Sequence, residues 1–191
     1  MRQVHKAGGK MFVDYSGLTM DIINPKTGEI QKAEIFVACL GASGYFFAEA
    51  SESQKKACFI NSHTHAYSFF GGVAEVTVPD CLKAAVTKSD RYEPEINPSY
   101  QDMADYYGTV IIPARPYKPR DKAKVELSVK LVQRWILAKL RDRQFFSVPE
   151  LNQALRSLLE ELNNRKLKFI GKSRRELYEE LDRPALKPPT A

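Results

Sequence analysis

Met11-Phe-Val-Asp-Tyr-Ser-Gly17 reads as an apolar strand with one acid in its middle. On a period of two, Phe12, Asp14 and Ser16 share one face, while Met11, Val13 and Tyr15 share the other. A carboxylate in such a strand is costly unless something pairs with it, and a metal ion is one such partner. Two later segments can bring acids to the same place: Val76-Thr-Val-Pro-Asp80 and Lys118-Pro-Arg-Asp-Lys-Ala-Lys-Val-Glu126. Asp14, Asp80 and Glu126 are therefore the candidate site residues, and the rest of the chain reads as the scaffold that gathers them.

Working outward, Asn24-Pro-Lys-Thr-Gly28 is a turn and Ala33-Glu-Ile-Phe-Val-Ala-Cys-Leu40 a second strand. Gly41-Ala-Ser-Gly44 is the next turn and Tyr45-Phe-Phe-Ala-Glu-Ala50 a third strand, which completes an antiparallel meander. Residues 53–70 switch to helical period, and Gly71-Gly72 ends that helix. Residues 75–79 form a short strand with Asp80 just past its end; the intervening helix argues for a parallel crossover. Residues 81–96 read as loop. Asn97-Pro98 opens a helix that stops at Gly108, and Thr109-Val-Ile-Ile112 is a fifth strand. The order β-β-β-α-β-α-β predicts an α/β fold, a five-stranded mixed sheet flanked by helices.

A long helix is predicted over residues 121–143. Val125, Val129, Val132, Ile136 and Leu140 make its apolar stripe, with Glu126 beside the stripe rather than in it. Ser147-Val-Pro-Glu150 and Ser173-Arg-Arg-Glu176 are capping boxes that start two further helices. The tail from Pro184 is expected to be extended and mobile. The predicted organisation is a core over 1–143 and a C-terminal helical extension with its tail over 144–191.

Composition narrows the function classes. No apolar run approaches the roughly 18 residues of a membrane span, and no apolar stretch follows the N-terminus as in a signal peptide. Cys39, Cys58 and Cys81 are odd in number and far apart, which suits reduced thiols and a cytoplasmic location. Lys plus Arg exceed Asp plus Glu by 29 − 23 = 6, which favours a polyanionic partner. Arg115, Lys118, Arg120, Lys122 and Lys124 cluster at the start of the long helix. Cations disfavour a helix N-terminus, so this run suggests a local demand for positive charge that DNA phosphate would supply. His63 and His65 are two apart on a helix and do not share a face, which argues against a metal site there. Taken singly, the three acids have ordinary readings too. Asp14 could pair a buried cation, Asp80 could be a turn residue, and Glu126 could be a solvated acid near Lys122 and Lys130.

Together these segments are recognisable. Lys10-Met-Phe-Val-Asp-Tyr-Ser-Gly17, Ala38-Cys-Leu-Gly-Ala-Ser43, Phe70-Gly-Gly-Val73, Val78-Pro-Asp80, Arg115-Pro-Tyr-Lys-Pro-Arg-Asp-Lys-Ala-Lys-Val-Glu126 and Leu159-Glu-Glu-Leu-Asn-Asn164 resemble the integrase core of DDE transposases. Within that group the chain is similar to the IstA-like transposases of bacterial insertion sequences. The resemblance implies an RNase H-like fold in which Asp14, Asp80 and Glu126 are the catalytic carboxylates and hold two Mg²⁺ or Mn²⁺ ions. It implies hydrolysis at transposon ends followed by 3′-hydroxyl attack on target DNA. It further implies a homo-oligomer of the full-length protein, an AAA+ ATPase partner of the IstB type, and action on DNA in the bacterial nucleoid. Cys81 departs from the pattern, since integrase-like enzymes usually carry Asn directly after the second aspartate. Two alternatives stay open: an RNase H-like nuclease without strand transfer, and a degenerate core that only binds DNA or oligomerises.

Overall fold

The computed structural model describes residues 4–80, 85–88, 95–115 and 119–189, except the side chains of 119–122. Its main sheet has five strands in the order β3-β2-β1-β4-β7. β1 (Lys10–Ile23) and β2 (Ile30–Leu40) are joined by the predicted turn, in which the Asn24 side chain accepts from Lys26 N at 2.9 Å. β2 pairs antiparallel with β3 (Phe46–Ser51). β4 (Val76–Pro79) lies parallel on the other side of β1, and β7 (Val110–Ile111) lies parallel to β4. The sheet is thus mixed, as predicted. β1 runs longer than its apolar centre because it crosses an irregularity between Tyr15 and Thr19. Gly17 sits there at φ 72°, a left-handed conformation that costs glycine little.

Helices cover both faces. α1 (Lys56–Phe70) and α2 (Pro98–Tyr107) pack on the face that carries Tyr15 and Phe36, through Phe59, His63 and Tyr100. α3 (Pro119–Leu131) and α5 (Val148–Asn164) pack on the opposite face. The long predicted helix is one continuous rod with a change of winding. α3 passes into a π-helical stretch, Val132–Leu137, and then α4 (Ala138–Leu140). Leu151, Leu155, Leu159 and Leu162 of α5 belong to the same buried cluster as β1 and β2.

α5 also closes the sheet edge. The Asn152 side chain accepts from Ala50 N (2.6 Å) and donates to Ala50 O (3.0 Å). The Asn163 side chain accepts from Phe46 N (3.3 Å) and donates to Phe46 O (2.8 Å). Eleven residues apart, both asparagines lie on one face of the helix, where they satisfy backbone groups that an edge strand leaves open.

Two expectations need correction. Residues 81–96 are not all loop: β5 (Val86–Lys88) and β6 (Glu95–Ile96) form a small antiparallel sheet. Its strands are too short for periodicity to show. Val86 is nonetheless buried against the main core. The C-terminal tail is not free either. Lys187 and Val73 exchange both backbone hydrogen bonds, at 2.8 and 3.0 Å. The buried Asp182 carboxylate accepts from Gly8 N (2.8 Å) and Ser43 N (2.9 Å). At Gly72 a Cβ would stand 2.7 Å from Leu186 Cβ, so only glycine lets the tail lie this close. α6 (Arg174–Leu177) opens with the predicted capping box, formed by Ser173 and Glu176. At Ser147 only half the box forms, because the Glu150 carboxylate reaches Phe146 N instead.

Candidate active site

The register of β1 and β4 brings two of the three acids together. Phe12 pairs with Val78 and Val13 with Pro79, and Asp80 N donates to Val13 O at 3.1 Å. Asp14 and Asp80 follow as the next residues on neighbouring parallel strands, roughly 5 Å apart at the backbone. Both are half-buried. Alternation puts Asp14 on the face of Phe12 and Asp80 on the face of Val78. Phe12, Val78, Ala114 and Val125 form a small separate apolar cluster. That cluster is the floor beside which the pair stands. Asp14 Oδ1 also accepts from Tyr15 N at 2.8 Å, which orients the carboxylate.

Glu126 stands on α3. Val125 touches the floor, and the Gln133 side-chain amide donates to Ser16 O on β1. From 125 to 133 the helix climbs about 12 Å, and from 12 to 16 the strand covers about 13 Å, so α3 runs alongside β1. Glu126 lies two turns before Gln133 on the same stripe and so belongs to the flank that leans toward β1. Its side chain is exposed. Among the described residues no group of three or more His, Cys, Asp or Glu side chains stands close enough to hold a metal ion. The fold therefore pairs Asp14 with Asp80 and sets Glu126 on the adjoining helix flank, without drawing it into their cluster.

The predicted cations divide. The Ala114 N–H donates to Pro79 O at 2.9 Å, which sets Ala114 level with Asp80, and exposed Arg115 is the next residue along. Lys124 is half-buried, and its two-residue offset from Glu126 sets it across the helix. Arg120 and Lys122 belong to α3, while Lys118 and Cys81 lie outside the described residues.

Sequence reasoning missed His5 and Lys10. His5 packs edge-on against Phe12, with ring centroids 5.4 Å apart. Burial, then the charges of Lys124 and Lys10, hold its imidazole below the usual range. Lys10 was findable, because it precedes Asp14 by four residues and shares its face. His5 carried no signal, because a loop brings it there. The histidines of α1 are structural. Buried His63 bonds Phe59 O at 2.7 Å and the Tyr100 hydroxyl at 2.9 Å.

Known proteins agree with this architecture. The chain is 49% identical over 188 residues to a Pseudomonas fluorescens protein named as transposase for insertion sequence IS1162, covering 98% of this chain and 34% of that protein. It is 31% identical over 128 residues to the transposase of insertion sequence element IS21 of Pseudomonas aeruginosa, covering 67% of this chain and 32% of that protein. The chain thus spans about a third of the length of these curated relatives. No family model matches it. Among solved structures, the HTLV-2 integrase catalytic core domain in complex with magnesium superposes with a TM-score of 0.64 at 15% identity, covering 92% of this chain and 99% of that one. That likeness establishes the integrase-core fold.

Proposed function

The chain belongs to the transposases of bacterial insertion sequences, and we propose that it is the catalytic core of one of them. The reaction class is polynucleotidyl transfer: a phosphodiester at each transposon end is hydrolysed, and the freed 3′-hydroxyl attacks target DNA. The observation that carries this reading is the placement of Asp14 and Asp80 side by side on parallel strands of an integrase-like core.

A donor set of carboxylate oxygens suits a hard divalent cation. Asp14, Asp80 and Glu126 would hold Mg²⁺ or Mn²⁺, with two ions as the proposed number. When bound, such ions supply Lewis-acid stabilisation of the phosphate and lower the pKa of a coordinated water or hydroxyl. The chain's own residues position the reaction. Backbone pairing fixes the two aspartates, and the Tyr15 N–H holds one Asp14 oxygen in place. The Val125 contact and the Gln133 hydrogen bond fix the rotation of α3, and with it the approach of Glu126. The Phe12–Val78–Ala114–Val125 cluster packs the strands and α3 together beside the pair. Arg115, Lys118, Arg120, Lys122 and Lys124 are assigned to DNA phosphates. A homo-oligomer of the full-length protein, an IstB-like AAA+ ATPase and DNA in the nucleoid are the proposed partners and place of action.

The test is a strand-transfer assay with pre-cut transposon-end DNA, target DNA and Mn²⁺. Joined products are expected, and Asp14→Asn, Asp80→Asn or Glu126→Gln should abolish them. Cut products alone would point to a nuclease, and bound but unreacted DNA to a binding module.

A further inference from the structure

A second surface lies across α3 from Glu126. Lys124 and Ser128 stand two residues to either side of Glu126, hence about 200° round the helix from it, and both line a groove of about 380 Å³. Its far wall is the hairpin of residues 166–173, and its floor is the turn between β2 and β3. The hairpin is preformed. Leu167 N donates to Lys172 O (2.9 Å), Gly171 N donates to Leu167 O (2.8 Å), and Gly171 closes the turn in a left-handed conformation at φ 72°.

The groove presents two kinds of surface. Leu127, Leu131, Leu167, Ile170 and Leu177 give it apolar sides. Phe169 at its lip is fully exposed, and Leu127 and Ile170 are exposed as well. A continuous apolar patch left open to water and rimmed by polar groups marks a contact surface. Lys168 and Arg174 supply charge. Arg174 is half-buried, with its guanidinium 5.8 Å from the centre of the Phe46 ring, and burial draws its basicity down. Among the described residues neither cation pairs with a carboxylate, although the cations beside them do: Lys172 with Glu180 at 2.6 Å and Arg175 with Glu160 at 3.8 Å. A half-buried guanidinium without a counter-anion is desolvated charge that a carboxylate would satisfy.

We infer that this groove docks an acidic amphipathic segment of a partner protein, with apolar side chains seated between α3 and the hairpin and carboxylates on Lys168 and Arg174. Charge complementarity and shape both favour a peptide over DNA. The α3 side of the groove, from Lys124 to Leu131, is about 10 Å long, the span of two helical turns, which suits recognition of a helix in a groove. Duplex DNA would offer phosphates to the two cations and nothing to the leucines, because its bases are stacked inside. The inference does not depend on the reaction proposed above.

The experiment uses the full chain and a fluorescent helical peptide with leucines at i and i+4 and glutamates beside them. Its comparisons are the same peptide with glutamine for glutamate, the same peptide with serine for leucine, and a short DNA duplex. Anisotropy should show saturable binding that weakens with salt. The glutamine and serine peptides should bind about tenfold more weakly, the factor for about 1.4 kcal/mol. Lys168→Glu and Ile170→Ser alter exposed side chains, so each should weaken the glutamate peptide about tenfold without changing the melting temperature. Arg174→Met keeps an apolar stem beside Phe46, removes the charge, and should weaken binding likewise. No saturable binding, equal affinity for the glutamine peptide, or a Lys168→Glu chain that binds as the parent does overturns the inference. A duplex whose affinity falls with Lys168→Glu, where the peptide does not bind, overturns it in favour of a phosphate contact. Each of these results leaves the transposase reading standing.

Discussion

Asp14→Asn removes one of two charges that the fold holds side by side, and its effect on stability can be worked out without DNA. Two unit charges at the strand spacing of about 5 Å repel by about 0.8 kcal/mol in water and about 3.3 kcal/mol at an effective dielectric of 20. Both side chains are half-buried, and like charges across neighbouring strands cost up to about 1 kcal/mol. We therefore take about 1 kcal/mol. The substitution retains the Oδ1 that accepts from Tyr15 N. In EDTA the variant should melt about 2–4 °C above the parent, the shift for about 1 kcal/mol in a chain of this size. Mg²⁺ or Mn²⁺ at a hundredfold excess over its dissociation constant should stabilise the parent by about 2.7 kcal/mol. The variant, short of a charged donor, should gain much less and should not cut DNA. The assay is calorimetric melting of both proteins in EDTA and in each metal. If metal shifts both equally, or if Asp14→Asn costs several kcal/mol in EDTA, Asp14 is a structural ion-pair partner and the metal reading fails.

Other expectations test the scaffold. Burial holds the His63 imidazole at about 4 against an ordinary 6.5. The unfolded chain therefore takes up its proton first. This contribution is complete above pH 6.5 and is lost as pH falls toward 4, by up to about 3 kcal/mol; melts across that range should show the decline, and His63→Gln should flatten it. Asn163→Ala strips Phe46 N and O of their partners and should cost about 2–3 kcal/mol in urea unfolding. An unchanged urea midpoint would show that water satisfies the edge equally well. Asp182→Ala orphans Gly8 N and Ser43 N. It should cost about 2–4 kcal/mol and expose the tail to limited proteolysis, whereas a tail that stays resistant would place its anchor at the Lys187–Val73 pair.

Alternation and turn chemistry alone determined the five strands, the mixed sheet and the placement of Asp14 on the Phe12 face. These are local properties: a two-residue period, a turn at Asn24 to Gly28, a helix stop at Gly108. Asp80 was legible as a residue just past a strand, and its neighbour was not. Only the parallel register of β1 and β4 puts it beside Asp14, and register is a relation between segments 66 residues apart. The same holds for Asn152 and Asn163, which read as ordinary polar positions on an amphipathic helix until α5 is laid along the edge of β3. The tail looked mobile because it is a chain terminus whose prolines predict no regular element. Its order comes from the missing Cβ of Gly72 and the two backbone amides that meet Asp182. His5 enters the site by packing on Phe12, with no pattern of its own. Local periodicity reports which way a side chain points within its own element. What it meets there is decided by packing between elements, because contact energies act across space and leave no period in the chain.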